Sequence, residues 1–237
     1  MQFSTEEKLD ISIVMPCLNE EKTIGACVDE ALGYIFANNL NGEVIVSDNG
    51  SQDNSAVIAK EHGARVVYAN VKGYGSAIME GIRYSSGKVI IMGDCDTTYD
   101  FSRLDGLYRP IFEGKCDVVI GDRFAGGIEK GAMPLSHKIG VRFLSAFGRA
   151  RYKVKVKDFH SGLRAISRSA ALKMECKTTG MEFATEMIAM AARNGNTIMS
   201  IPIVLRKCRY DRSSKLRTIP DGLRHLKYII GFNKGHQ

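Results

Sequence analysis

A chain of 237 residues is long enough for one α/β domain with a smaller appended region, at roughly 150 residues per domain. A hydrophobic content of 44% excludes wholesale disorder, and 24 glycines without a fixed period exclude collagen-like and repeat architectures. The net charge of +7 is local: residues 200–237 carry nine Lys or Arg against two acids, and the first 199 residues hold 24 of each sign.

The opening MQFSTEEKLD carries three acids and no apolar stretch, unlike a secretory leader. Ile11 to Met15 then reads as a first strand stopped by Pro16, and Asn19 as the cap of a helix in which Ile24, Cys27, Ala31, Leu32 and Ile35 recur at helical spacing. Glu43 to Ser47 is a second strand, followed by the turn-forming Asp48-Asn49-Gly50-Ser51 and a helix over Ser55 to Glu61. Ala64 to Tyr68 is a third strand, and a Gly-rich stretch leads into a helix carrying Ala77, Ile78, Gly81 and Ile82. Lys88 to Met92 is a fourth strand ending at Gly93-Asp94, with a helix over Ser102 to Phe112 and a fifth strand over Asp117 to Ile120. Such alternation predicts a mostly parallel sheet flanked by helices, with ligands gathered at the C-terminal strand ends.

Beyond Gly121 the pattern is less regular. Phe124 to Ala132 is expected as a mobile glycine-rich loop. Leu135 to Ala150 reads as a helix presenting Ile139, Phe143, Leu144 and Phe147. Glu182 to Arg193 is a stronger helix stopped by Gly195, and Thr197 to Leu205 is strand-like but interrupted by Pro202. Asp221 is placed to cap a last amphipathic helix, with Leu223, Leu226, Ile229 and Ile230 on one side and Arg224 and Lys227 on the other. No run nears the roughly 20 apolar residues that cross a bilayer. The six cysteines are far apart, without zinc or redox-pair spacing, and are expected as reduced thiols in a cytoplasmic protein.

The sharpest chemical signal is Gly93-Asp94-Cys95-Asp96 at the end of the fourth strand. Two carboxylates at i and i+2 converge on one hard divalent cation if the chain turns there, and Mg²⁺ or Mn²⁺ held so would share its coordination with substrate phosphates. The competing reading is a pair of turn-forming aspartates. Lys72-Gly73-Tyr74-Gly75-Ser76 follows the third strand, and its glycines would let backbone N–H groups approach a ligand, with Lys72 adding charge near a diphosphate. Asp48 is equally suited to a base or ribose contact and to capping its own turn.

Taken together, Val14-Met15-Pro16-Cys17-Leu18-Asn19-Glu20-Glu21, Ser47-Asp48-Asn49-Gly50-Ser51-Gln52-Asp53, Lys72-Gly73-Tyr74-Gly75 and Asp94-Cys95-Asp96 resemble the nucleotide-sugar motifs of family 2 glycosyltransferases with the GT-A fold. Gly121-Asp122-Arg123-Phe124, Asp158-Phe159-His160-Ser161-Gly162-Leu163-Arg164-Ala165 and Gly180-Met181-Glu182-Phe183 resemble the dolichyl- or polyprenyl-phosphate sugar transferase branch, as do Arg212-Ser213-Ser214-Lys215-Leu216 and Asp221-Gly222-Leu223-Arg224-His225-Leu226. Ser161, Leu163 and Asp122 depart mildly from the branch pattern.

The resemblance implies a single GT-A catalytic domain over 1–237: a nucleotide-sugar half at 1–122, an acceptor-side half at 123–205 and a basic segment with an amphipathic helix at 206–237. It places Pro16, Leu18, Glu20 and Asp48 around the base and ribose, Lys72 and Gly73 near the nucleotide, and Asp94 and Asp96 on the metal. Arg123, His137, Arg164, Arg212 and Lys215 would face phosphate. The implied reaction is metal-dependent and inverting, moving sugar from GDP-mannose or a UDP-hexose to a polyprenyl or dolichyl phosphate. A lipid phosphate is already an anion and needs positioning; a hydroxyl acceptor would need a base, for which Glu182 is the candidate. Glu186, one turn on, is expected to share its face and to pair with Lys or Arg.

A soluble enzyme using a hydroxyl acceptor, in secondary-metabolite or cell-surface glycan synthesis, is the alternative. A nucleotidyltransferase is disfavoured because Pro16-Cys17-Leu18-Asn19-Glu20 stands where its Gly-rich basic loop would be. The acid-free stretch from His137 to Lys157 and the basic C-terminal segment suit an anionic membrane surface at the cytosolic face. They match no nucleic-acid-binding signature, so nucleic acid is not expected as a partner; homo-oligomerisation stays open.

Overall fold

The computed structural model describes residues 9–210 and 218–231. Its seven strands are β1 (Leu9–Cys17), β2 (Gly42–Asp48), β3 (Arg65–Tyr68), β4 (Gly87–Met92), β5 (Val118–Asp122), β6 (Arg164–Ser167) and β7 (Ile198–Pro202). The helices are α1 (Ile24–Ala37), α2 (Ser55–Glu61), α3 (Tyr74–Tyr84), α4 (Asp105–Phe112), α5 (Arg123–Gly126), α6 (Leu135–Tyr152), α7 (Arg168–Leu172), α8 (Phe183–Arg193) and α9 (Thr218–Gly231).

All seven strands share one sheet in the order β3-β2-β1-β4-β6-β5-β7. The β1–β2, β1–β4, β2–β3 and β5–β7 pairs are parallel, and β6 alone runs antiparallel, between β4 and β5. The mostly parallel sheet is as expected. Sequence patterning predicts neither β6 nor the short α7: only Ala165 and Ile166 mark the strand as apolar, and its ends are Arg164 and Ser167.

Strand alternation sorts the core onto the two sheet faces. Ile11, Ile13, Met15 and Cys17 join Val89 and Ile91 in packing with Cys27, Val28 and Ala31 of α1 and Leu107 and Ile111 of α4. Val14, Ile45, Ile90 and Met92 face the other way, onto Ile78 and Ile82 of α3 and Met187, Ile188 and Met190 of α8. Outside α8 lie α6 and α9, packed on it and on each other.

Several expected boundaries move for local reasons. α1 is preceded by Thr23, while Asn19 takes a left-handed backbone (φ 52°) and bridges two loops: its Oδ1 accepts from the Gln52 N–H at 2.7 Å and its N–H donates to Ser51 Oγ at 2.9 Å. The expected mobile loop at Phe124 to Ala132 begins with the helical turn α5, because Asp122 accepts from the N–H groups of Phe124 and Ala125 at 2.9 and 3.0 Å. Ile128 then bridges to Leu205.

α6 turns the opposite way from a core helix. Val141, Ser145 and Gly148 face inward, while Leu135, Ile139, Phe143 and Phe147 are 72%, 62%, 65% and 40% exposed. All six cysteines are free thiols, four of them buried. No helix among the described residues is long and apolar enough to cross a membrane.

Candidate active site

The chain leaves β1 for β2 and β3 on one side and returns as β4 on the other. This reversal opens a crevice at the C-terminal ends of β1 and β4, where ligands of open α/β sheets bind. Pro16, at the end of β1, and Leu18 and Glu20 just after it lie there, and Asp94 and Asp96 follow β4.

Asp96 is 4% exposed, and its Oδ1 accepts from Thr98 N–H at 3.0 Å and from Thr98 Oγ1; the left-handed Thr97 (φ 66°) makes the turn between them. Asp94 lies against the loop before β6, since a Cβ placed on Gly162 would sit 2.4 Å from Asp94 Oδ2. Any side chain there would displace the carboxylate. Tyr74, whose phenol is held far above its ordinary pKa by burial and then by Asp94, is therefore a neutral hydrogen-bond donor beside that carboxylate. Among the described residues no three His, Cys, Asp or Glu side chains gather as a metal cage. Two carboxylates with further positions left to substrate oxygens and water is the donor set that suits Mg²⁺ or Mn²⁺.

The residues expected around the nucleotide come together, several with tasks inside the protein. Asp48 caps its own turn, its Oδ2 accepting from the N–H groups of Gly50 and Ser51 at 3.0 and 3.1 Å. Asn49 ties the β2 and β3 loops together: Nδ2 donates to Val71 O at 2.8 Å and Oδ1 accepts from Gly73 N–H at 2.7 Å. Lys72 Nζ donates to Asn49 O at 2.7 Å. Gly73 has a packing duty of its own. Its N–H is already bonded, and at its φ of 131° a Cβ would sit only 2.1 Å from Thr179 O, so close backbone packing requires glycine there. Glu20 donates its N–H to Ser55 Oγ at 2.7 Å, which fastens the loop after β1 to α2.

Around the loop before β6 the structure brings Arg123, His137 and Arg164 into one region, together with Asp158, His160 and His225. Two of these have structural duties that the sequence did not reveal. Arg123 forms a two-pronged ion pair with the fully buried Asp158, Nε to Oδ2 at 2.7 Å and Nη2 to Oδ1 at 2.8 Å. Arg164 donates to the carbonyls of Ser161, Ala184 and Phe159, each at 2.6 Å, so its guanidinium braces the loop. Arg212 and Lys215 lie outside the described residues.

Glu182 precedes α8, with its Oε2 buried and without a hydrogen-bond partner among the described residues. Among the described residues Glu186 pairs with no Lys or Arg; it accepts from the backbone N–H groups of Lys177 and Thr178 at 2.9 and 2.7 Å. The C-terminal charge is partly internal too, since Arg206 pairs with Glu30 and Asp100 and Arg209 with Glu30.

The family model for Glycosyl transferase family 2 matches residues 12–174, more than half the chain. The chain belongs to that family. The chain is 38% identical over 221 residues to the low-salt glycan biosynthesis hexosyltransferase Agl6 of Haloferax volcanii, covering 93% of the chain and 53% of that relative. It thus spans about half of Agl6's length. It is 31% identical over 199 residues to a dolichyl-phosphate hexose transferase of the same organism, covering 84% of the chain and 83% of the relative. In fold it is similar to glucosyl-3-phosphoglycerate synthase from Mycobacterium tuberculosis, solved with Mn²⁺, UDP-glucose and phosphoglyceric acid. The TM-score is 0.76 at 23% identity, over 97% of this chain and 81% of that one. The GT-A fold that the motifs implied is the fold observed.

Sequence reading did not single out His160 and His225, which the structure places beside Arg123, His137 and Arg164. Their rings meet edge-to-face at 4.3 Å between centroids, and Thr185 Oγ1 lies 2.8 Å from His225 Nδ1. Burial, followed by Arg164 and His137, pushes the His225 pKa down to about 4, and burial with His225 and the two arginines pushes His160 well below its ordinary value. The unfolded chain binds these protons near pH 6.5 and the folded chain does not, so stability falls as pH drops from about 6.5 towards 4. For His225 alone the full loss is about 3 kcal/mol. Melting temperatures of the parent and His225→Gln between pH 7.5 and 5 check this: the variant is expected to show the shallower decline.

Proposed function

We propose that this chain is the catalytic part of a metal-dependent, inverting hexosyltransferase that moves a sugar from a nucleoside-diphosphate sugar to a polyprenyl or dolichyl phosphate. The observation that carries the reading is the placement of Asp94 against the Gly162 loop, which joins the donor crevice to a buried cluster rich in positive charge. Asp158, the carboxylate inside that cluster, is consumed by Arg123, whereas Arg164 meets only carbonyls and a thioether among the described residues and keeps its charge. That suits an acceptor already ionised. The dolichyl-phosphate hexose transferase relative supports the same acceptor class.

Asp94 and Asp96 would hold the divalent ion, whose chemistry is to stabilise the negative charge on the departing diphosphate. The side chains then have distinct duties. Tyr74 orients Asp94, Thr98 fixes Asp96, and the loops after β1 and β2 enclose the nucleotide. The Mn²⁺ and UDP-glucose named for the mycobacterial neighbour are consistent with this use of the fold. Glu182 Oε2, buried and unpartnered among the described residues, is the one observation that favours a hydroxyl acceptor instead. Purified protein with Mg²⁺ or Mn²⁺, UDP- or GDP-sugars and a short polyprenyl phosphate distinguishes the two. Label passing into an organic-extractable, mild-acid-labile product supports the proposal, and label found only in a water-soluble glycoside overturns it.

The outward stripe on α6 extends the proposal to a membrane surface. Leu135, Ile139, Phe143 and Phe147 are flanked by Lys138, Arg142 and Arg149, and no acid occurs from Lys130 to Lys157. On α9, which packs against α6, Leu223 and Ile230 are 60% and 59% exposed. An apolar stripe rimmed by cations fits an anionic bilayer, each cation adding about 1 kcal/mol near the surface. Sedimentation with phosphatidylglycerol vesicles is expected to pull down the parent chain, more weakly in high salt. Ile139→Glu with Phe143→Glu is expected to abolish the interaction; equal binding by the variant would remove α6 from it.

A further inference from the structure

Buried polar atoms without partners gather on one short loop. Neither ring nitrogen of His160 nor Ser161 Oγ has a hydrogen-bond partner among the described residues, although Ser161 is fully buried. A buried polar group left unsatisfied costs about 1–3 kcal/mol, and proteins rarely keep one without a use for it.

The loop cannot easily relax to satisfy these atoms, because it is braced on every side. Asp158 is clamped by Arg123 and accepts from the His160 N–H at 3.3 Å. Arg164 holds the carbonyls of Phe159 and Ser161, and Tyr99 Oη accepts from the Gly162 N–H at 2.8 Å. Burial with the surrounding positive charge keeps His160 neutral, with one ring N–H able to donate and one nitrogen able to accept. Arg123 is paired with Asp158, but Arg164 bonds only to carbonyls and the Met187 sulfur among the described residues, so its charge is left without a carboxylate against it and the ligand this loop suits is an oxyanion.

We propose that His160 is an acceptor-contacting residue that donates its ring N–H to a phosphoryl oxygen of the acceptor, and that His225 on α9 is the positioning residue that sets its ring. His225 lies edge-on to His160 and is itself fixed by Thr185 Oγ1 on α8. The acceptor site is thus completed by a helix from the C-terminal part of the chain, whose outer face carries Leu223 and Ile230. Seating α9 against α6 and α8 and forming the acceptor pocket are one event. The inference rests on the lipid-phosphate reading and adds the residue that touches the phosphate and the helix that places it.

The test uses the full chain with Mn²⁺ and UDP or GDP, into which farnesyl phosphate is titrated calorimetrically, with farnesol as the control for the tail. His160→Phe is expected to weaken farnesyl phosphate binding about tenfold or more, as loss of a hydrogen bond to a charged group does, while nucleotide affinity stays within about twofold. His160→Gln, which can still donate, is expected to recover most of the loss, and serves as the comparison should the phenylalanine variant misfold. His225→Phe is expected to raise the KM for farnesyl phosphate in the transfer assay, with the donor KM and kcat little changed; a purely structural role would lower kcat together with the melting temperature and leave no selective change in KM. If His160→Phe binds farnesyl phosphate as the parent does while the parent transfers sugar to it, this inference falls and the proposed function stands. A parent chain that binds nucleotide but not farnesyl phosphate overturns both.

Discussion

The double variant Asp94→Asn/Asp96→Asn is expected to lose sugar transfer by at least about 100-fold, the scale of removing one preorganised electrostatic group from a transition state. It is expected to melt close to the parent. Asparagine keeps the volume at both sites, and an amide oxygen at position 96 still accepts from Thr98, so the turn built on Thr97 is retained. What goes is the charge. Neutral ligands cannot hold a hard cation against water as carboxylates do, so the Mn²⁺-dependent part of nucleotide affinity should disappear while the metal-free part survives. Nucleotide affinity measured with Mn²⁺ and with chelator, alongside initial transfer rates, checks this. Undiminished turnover and unchanged divalent-dependent affinity in the variant would place the reacting centre elsewhere.

What the sequence made legible was the part of the molecule whose chemistry is local. β1, β2 and β4 have largely apolar centres because each is buried on both faces, and the polar residues after them stand out against those centres. Asp94 and Asp96 were readable as a pair because only Cys95 stands between them, just past the end of such a strand. β6 was not readable, since a four-residue strand wedged between two neighbours needs little apolar sequence of its own. Asn19 misled for a different reason: it looks like a helix cap, but the loop it occupies needs a left-handed residue that reaches Gln52.

The acceptor side was legible as charge and illegible as partnership. The resemblance set Arg123 and Arg164 against phosphate, and an arginine in a sequence shows its charge but not its counterion. Asp158 lies 35 residues from Arg123, and the carbonyls that occupy Arg164 are invisible to any side-chain motif. His225 and Thr185 are 40 residues apart, and no periodicity links them. α6 shows the limit of pattern reading in another way. Its apolar residues have helical spacing whether the stripe faces a core or a surface, and only the packing of Val141, Ser145 and Gly148 inward reveals that the stripe is outward.

The brace beneath the acceptor loop sets the second large expectation. Asp158→Ala is expected to destabilise the chain by about 3–5 kcal/mol, the cost of leaving a buried charge unpaired. Asp158 is fully buried and takes both prongs of the Arg123 guanidinium, which is itself 6% exposed, so neither charge has water to fall back on. The loss also removes the acceptor for the backbone N–H groups of Arg123 and His160. If the effect is truly an orphaned guanidinium, Asp158→Ala/Arg123→Met should be less destabilised than Asp158→Ala alone, because the second change removes the unpaired charge. Urea unfolding of the parent, the two single variants and the double variant measures that coupling directly. A cost below about 1 kcal/mol for Asp158→Ala would show an ion pair that water can replace, and the loop carrying His160 would then owe its shape to Arg164 and Tyr99.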